Sequence, residues 1–209
     1  MSTEKRNTGG GGVAELFSSL PVVDEAANRR LRAALIEGAQ NRGLLDVAYR
    51  TIDSPVGELL VATTEQGLVR VAFASEGHEE VLAMLADRVS PRILSAPARL
   101  DTVAREMDEY FAGSRTQFDL PIDYRLSAGF RRQVLDHLPD IAYGTTASYA
   151  TVATLAGSPR AVRAVGSACA TNPLPVVIPC HRVVRSDGTP GGYAGGPQAK
   201  LTLLALESR

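Results

Sequence analysis

Ser148-Tyr149-Ala150-Thr151-Val152-Ala153-Thr154-Leu155-Ala156-Gly157-Ser158-Pro159-Arg160-Ala161-Val162-Arg163-Ala164-Val165-Gly166-Ser167-Ala168-Cys169 decides the fold of the second half of this chain. Two short helical stretches meet at Gly157-Ser158, which is the pattern of a helix-turn-helix. Ser148 is placed to cap the first helix, Tyr149 to Leu155. Ser158 is placed to cap the second, with Pro159 at its first position, where a missing N–H costs nothing. Apart from Arg160 and Arg163 the second helix carries small side chains, so its backbone can approach another surface closely. Ala161, Ala164 and Ala168 equally suit packing against the neighbouring helix, and the pattern alone leaves that alternative open. Charge favours a surface role: from Ser158 to Lys200, Arg160, Arg163, Arg182, Arg185 and Lys200 face Asp187 alone, an excess of four positive charges in a chain of net charge −1. A phosphate-facing surface follows.

Upstream, helical patterning runs from Ala128 to Leu138, followed by Pro139 and a Tyr143-Gly144-Thr145 turn. Downstream, Leu174-Pro175-Val176-Val177-Ile178 is β-rich, and Pro179 restricts Ile178 to extended backbone, so Cys180 is expected at the end of a stiff extended segment. Further back lie the β-type runs Val47 to Ile52, Leu59 to Thr64 and Leu68 to Ala74, separated by turn residues. They predict an antiparallel meander, completed by helices over about Glu79–Val89 and Ala98–Phe111, the latter stopped by Gly113. The whole reads as an α+β fold. A small antiparallel sheet with helices spans 47–121, and a mostly helical domain with the helix-turn-helix spans 122–209. Residues 1–46 form an extension: a polar tail ending in Gly9-Gly10-Gly11-Gly12, then a helical pattern from Leu20 through Val23, Ala27, Leu31, Ala34, Leu35 and Gly38.

The chain has 209 residues, 44% of them hydrophobic, enough for one large or two small cores, which excludes a disordered or collagen-like chain. No apolar run approaches the ~20 residues of a bilayer crossing, and the polar N-terminus lacks a signal-peptide core, so a cytoplasmic protein without membrane contact is expected. Two cysteines are too few for a disulfide scaffold or a four-cysteine zinc site, and no metal ligand set appears at ordinary spacing. Cys180 is the best nucleophile: it is rigidly placed and followed by His181 and Arg182, whose positive charge and hydrogen bonds would favour thiolate. Cys169 reads as a small buried hydrophobe. A papain-like thiol hydrolase competes, but adjacent side chains on an extended segment point to opposite faces, so His181 would need a bent backbone or a bridging water to reach the sulfur. Nothing in the first half assembles a catalytic group. His78, in Glu76-Gly77-His78-Glu79, reads as a solvated loop histidine.

Pro179-Cys180-His181-Arg182-Val183, with Asn172 before it and Gly191-Gly192-Tyr193-Ala194-Gly195-Gly196 after it, resembles the active-site segment of the O6-alkylguanine-DNA alkyltransferases, the methylated-DNA–protein-cysteine methyltransferases. The likeness covers Phe130 to Glu207 closely. It extends more weakly back to about Val47 through Asp53-Ser54-Pro55-Val56-Gly57 and Tyr110-Phe111-Ala112-Gly113. It implies a ribonuclease-H-like first domain and a cofactor-free repair protein that binds duplex DNA bearing O6-alkylguanine in the minor groove, as a monomer.

By that resemblance Cys180 accepts the alkyl group irreversibly, once per molecule. His181 acts as its base through a water, and Glu207 orients His181. Tyr149 protonates the departing guanine at N3 and crowds the phosphate of the flipped nucleotide. Arg163 fills the place of the extruded base, and the small face of its helix, with Ala161, Ala164 and Arg160, meets the groove. Asn172 holds the turn bearing the cysteine, and Val183, Tyr193 and Ala194 belong to the substrate pocket. Ala194 stands where several members carry serine, which leaves a backbone N–H for the leaving oxygen. Two alternatives imply different chemistry. A damage-binding relative without transfer carries another residue at the cysteine position, and a plain helix-turn-helix regulator would bind undamaged sequence and ignore thiol-blocking reagents.

Overall fold

The computed structural model describes residues 24–208. The polar tail, and Leu20 and Val23 of the expected first helix, lie outside the described residues. The described residues fall into two compact units, 24–42 and 43–208. In the first, α1 (Glu25–Asn41) is capped by Asp24, whose side chain accepts from the Ala26 N–H, and it buries none of its residues. No helix among the described residues is long and apolar enough to cross a membrane.

The second unit opens with the expected meander, β1 (Val47–Ile52), β2 (Leu59–Thr64) and β3 (Gly67–Phe73), all antiparallel. The sheet as a whole is mixed rather than antiparallel. After α2 (His78–Arg88), a short β4 (Ile93–Ser95) returns parallel to β1, giving the order β3-β2-β1-β4. A parallel return needs a crossover helix, and α2 supplies it. Val47, Leu60, Ala62, Val69 and Ala72 of the sheet pack with Val81 and Leu85 of α2 and with Leu126. All of β2 and β3 is buried, so their near-continuous apolar runs reflect cover on both faces. The helix expected over Ala98–Phe111 is a 3-10 turn, Pro97–Leu100, followed by α3 (Asp101–Phe111). His78 is not a loop residue: it opens α2, mostly buried, with Nδ1 3.3 Å from Glu58.

The outer edge of β3 is consumed by later chain. The Leu68 N–H donates to Pro121 O (2.8 Å), the Asp123 N–H to Leu68 O (2.9 Å) and the Val71 N–H to Pro173 O (2.8 Å). At Gly67, with φ +137°, a Cβ would lie 2.1 Å from Pro121 O, so only glycine admits this approach. The buried Thr64 hydroxyl donates to Asp123 (2.6 Å) and tightens the same junction.

The remainder is mostly helical: α4 (Gly129–His137), α5 (Tyr149–Leu155), α6 (Val162–Ala170) and α7 (Gly196–Glu207), with a small parallel pair of β5 (Ala147–Ser148) and β6 (Val183–Val184). Helices α4, α5 and α6 pack together, and α5–α6 is the expected helix-turn-helix. Ser148 caps α5 as its sequence implies, accepting from the Thr151 N–H at 3.0 Å. Ser158 does not cap α6. Its carbonyl accepts from the Ala161 N–H (2.8 Å), closing a turn that contains Pro159 and Arg160, and the helix begins at Val162. The Leu174–Ile178 run is not extended either. The Ile178 N–H bonds back to Leu174 O (2.8 Å), Val176 is held at φ +73°, and Cys180–Arg182 form a 3-10 turn.

Candidate active site

The turn that carries Cys180 is organised by one buried side chain. Asn172 accepts the Leu174 N–H at Oδ1 (2.9 Å), and its Nδ2 donates to Ile178 O (2.9 Å) and to Cys180 Sγ (3.2 Å). Side-chain hydrogen bonds thus override the β propensity of the intervening residues. Because Cys180 and His181 share a 3-10 turn, the backbone bends where an extended segment would have separated them.

Burial pushes the Cys180 thiol up to about 11, although the Asn172 donor and the nearby Lys200 charge pull it down. The sequence-based expectation that Arg182 would favour thiolate is overturned. Arg182 is itself buried and donates to Glu207 through Nε (2.9 Å) and Nη2 (3.0 Å), and to Ile141 O through Nη1. Lys200 is fully buried, with Nζ 2.6 Å from Val183 O. Two of the five cations counted from Ser158 to Lys200 are therefore internal. Arg160, Arg163 and Arg185 remain outside, and among the described residues none of them has an ion-pair partner.

Glu207 ends α7 at the centre of the site. Oε1 accepts from His181 Nε2 (2.8 Å), the Tyr110 hydroxyl (2.6 Å) and Arg182, and Oε2 accepts from Arg182 and the Gly144 N–H (3.3 Å). Burial raises its pKa, but the donors His181, Arg182 and Tyr110 outweigh burial and hold it at about 2. It is a carboxylate at neutral pH, so the imidazole carries its proton on Nε2. Nδ1 is left with a lone pair, buried and without a protein partner among the described residues. Desolvation keeps His181 neutral by lowering its pKa. A neutral base beside a protonated thiol can remove that proton.

Tyr149, Arg163, Val162, Gly166, Ala170, Arg185, Gly191 and Gly192 line a cleft of about 310 Å³. The Tyr149 hydroxyl abuts Gly191 so closely that a Cβ there would lie 2.2 Å from it. Burial, then the neighbouring Cys169 and Cys180, raise the Tyr149 pKa and keep it protonated. Arg160 and Ala164 are exposed and Ala161 half-buried, so the small-residue surface of the recognition helix faces outward. Tyr193 sets its ring edge against His181 (6.2 Å between centroids) and Phe73 (5.6 Å). Val183 is fully buried, and Ala194 lines a separate cavity with Asn172, Arg70 and Glu76 rather than the cleft of Tyr149 and Arg163. Cys169 is buried on α6. Sequence reasoning missed Tyr110, and with it a contribution from the first half. Tyr110-Phe111-Ala112-Gly113 contributes only to the resemblance, and the role of Tyr110 is invisible locally because its partner lies 97 positions away. It also missed that Arg182 and Lys200 are structural cations.

Residues 47–124 match the 6-O-methylguanine DNA methyltransferase ribonuclease-like domain, and residues 129–209 match the DNA-binding domain of the same family. The methylated-DNA–protein-cysteine methyltransferase of Mycolicibacterium paratuberculosis is 39% identical over 163 residues, covering 78% of this chain and 93% of that relative. A crystal structure of Mycobacterium tuberculosis O6-methylguanine methyltransferase superposes with a TM-score of 0.69 at 36% identity, over 78% of this chain and 93% of that one. The Mycobacterium tuberculosis OGT structure in complex with DNA gives 0.68 at 35% identity, over 77% and 92%. With both halves matched by the family and a relative 39% identical over most of its length, the chain belongs to the 6-O-methylguanine DNA methyltransferase family.

Proposed function

We propose that this protein repairs DNA by moving the alkyl group of O6-alkylguanine in a duplex onto Cys180, irreversibly and once per molecule. The observation that carries the reading is the buried array Asn172–Cys180–His181–Glu207 beside the cleft of Tyr149 and Arg163. His181 Nδ1 takes the Cys180 proton through a water, and Sγ forms a bond to the alkyl carbon. The carbon–O6 bond breaks, leaving its electron pair on guanine, and Tyr149 delivers a proton to N3. Tyr149 then regains a proton as His181 releases one to solvent. The resulting thioether cannot be exchanged by another thiol as a disulfide would be.

Cys180 is 2% exposed, so a base stacked in a duplex cannot meet it, and the nucleotide must flip out. Arg163, exposed at the cleft mouth with a guanidinium free of carboxylates, is the side chain to fill the vacated stack, and Ala161, Ala164 and Arg160 let the helix lie in the minor groove. Tyr193, whose ring edge meets His181, borders the base pocket, while Val183 lies buried in the core and Ala194 lines a separate cavity with Asn172. The working division is an extension over 1–46, a first domain over 47–121 and the DNA-binding domain over 122–209. It acts as a monomer in the cytoplasm and needs no metal or cofactor.

The test is to incubate the protein with an O6-methylguanine duplex, weigh it intact and map the adduct. One CH2 must appear on Cys180, Cys169→Ser must stay active, and Cys180→Ser must lose transfer while still binding DNA. An adduct on Cys169, or repeated turnover without modification, rejects the mechanism.

A further inference from the structure

We propose that Tyr110, supplied by the first half of the chain, is a positioning residue for alkyl transfer: its hydroxyl fixes Glu207 and His181 in the one arrangement that leaves Nδ1 free to act as base. This rests on the reading of Cys180 as acceptor and His181 as its base.

Tyr110 ends α3, is fully buried, and is wedged among the rings of Phe111, Phe118 and Tyr143. Packing alone would be served as well by phenylalanine. A buried hydroxyl is costly unless it is bonded, and here it spends its only proton on Glu207 Oε1 at 2.6 Å. The phenolic oxygen then turns a lone pair towards His181 Nε2, 3.4 Å away. The Nε2–H therefore sits between two acceptors, the carboxylate and the phenol. The opposite tautomer would set a nitrogen lone pair against both, which excludes it. The same bond withdraws electron density from Glu207, so the proton taken from Cys180 stays on the imidazole.

The groups facing His181 are Glu207 and Lys200 from α7, Arg182 and Cys180 beside it in the turn, the Tyr193 ring edge and Tyr110. Of these, Glu207 favours the imidazolium, whereas Arg182 and Lys200 oppose it. Tyr110 adjusts the one favourable partner. Its own proton is secure, because burial and then the Glu207 charge raise its pKa well above the ordinary phenol range.

Tyr110→Phe in the full chain tests the assignment. His181 is one of three histidines, so its titration can be followed by NMR alongside the rate of transfer from methylated duplex DNA across pH. With one donor gone, Glu207 binds the imidazolium more tightly. The His181 pKa and the acid limb of the rate profile should both move up by about half a unit or more, with transfer at neutral pH slowed about three- to tenfold and DNA affinity unchanged. An unmoved limb overturns the proposal, whether or not the rate falls, because a merely structural role lowers the rate without shifting it. If the phenylalanine variant does not fold, 3-fluorotyrosine at position 110 donates more strongly and should shift the limb downward; no shift again overturns the proposal. Absence of an adduct on Cys180 in the unmodified chain would instead defeat the underlying reading, and this inference with it.

Discussion

Replacing Asn172 with alanine removes three hydrogen bonds from the turn that presents the nucleophile, and their loss divides into separate effects on stability and chemistry. Ile178 O keeps the Cys180 N–H at 2.8 Å, so it is not orphaned. The Leu174 N–H loses its acceptor inside a fully buried residue, which costs about 1–3 kcal/mol. Val176 stores strain at φ +73°, of order 1–3 kcal/mol for a β-branched residue, and without Asn172 the segment can relax by moving Cys180. The orphaned Leu174 N–H therefore sets a stability loss of at most about 1–3 kcal/mol, and relief of the Val176 strain brings it below that. Chemically, Cys180 Sγ loses the donor that faces it at 3.2 Å. A hydrogen bond to an ionised acceptor is worth about 1.5–3 kcal/mol, so transfer should slow about ten- to a hundredfold, with the thiol pKa displaced above its present value of about 11.

Denaturant unfolding followed by circular dichroism reads the first effect. A single-turnover time course of intact mass with saturating methylated duplex reads the second. If Asn172→Ala loses the expected stability yet transfers within about threefold of the parent, the amide only holds the turn, and its role in stabilising the sulfur anion is wrong.

Arg163→Ala should weaken DNA binding and slow duplex repair about tenfold, since a filled stack offsets part of the flipping cost. Reaction with a free O6-alkylguanine base should change less than about twofold; equal slowing of both would make Arg163 a support of the pocket. The pH dependence of stability has a fixed sign. Glu207, depressed from 4.5 to about 2, contributes stability that is full above 4.5 and is lost as the pH falls towards 2, about 3 kcal/mol for the shift. His181, also depressed, starts its own loss as the pH drops below 6.5. Chemical denaturation at stepped pH should show the slope between 4.5 and 2 flatten in Glu207→Gln, and an unchanged slope would refute that assignment.

The helix-turn-helix was legible because its signals are local: Ser148 caps the first helix, Gly157 turns the chain, and small residues mark the second helix. Pro159 misleads for an equally local reason, since proline fits both the first position of a helix and the second position of a turn, and only the Ser158–Ala161 hydrogen bond decides between them. Strand β4 has three residues between Pro91 and Pro97, too few for any periodicity. Leu174–Ile178 carries β propensity that Asn172 overrides through its side chain. Arg182 and Lys200 count as surface charge in any tally of composition, yet one is paired to a carboxylate 25 positions away and the other caps a carbonyl 17 positions away. What sequence patterns record is short-range geometry, so the cysteine, histidine and recognition helix were readable and the buried charge network was not.

That network gives the two halves of residues 43–209 different work. The outward surface of α6, with Arg163 and the alanines, belongs wholly to the second half. The chemistry does not: β3 bonds Pro173 next to Asn172, Phe73 packs against Tyr193 and would collide with any side chain at Gly195, and Tyr110 bonds Glu207. Each contact falls on a different segment of the site: the Asn172 turn, the glycine-rich loop and the end of α7. A lesion in the first half that leaves the fold standing should therefore act on the rate of transfer and spare DNA affinity, the reverse of a lesion on the exposed face of α6. The first half, which assembles no catalytic motif of its own, thus shapes the surroundings of Cys180 through β3, Phe73 and Tyr110.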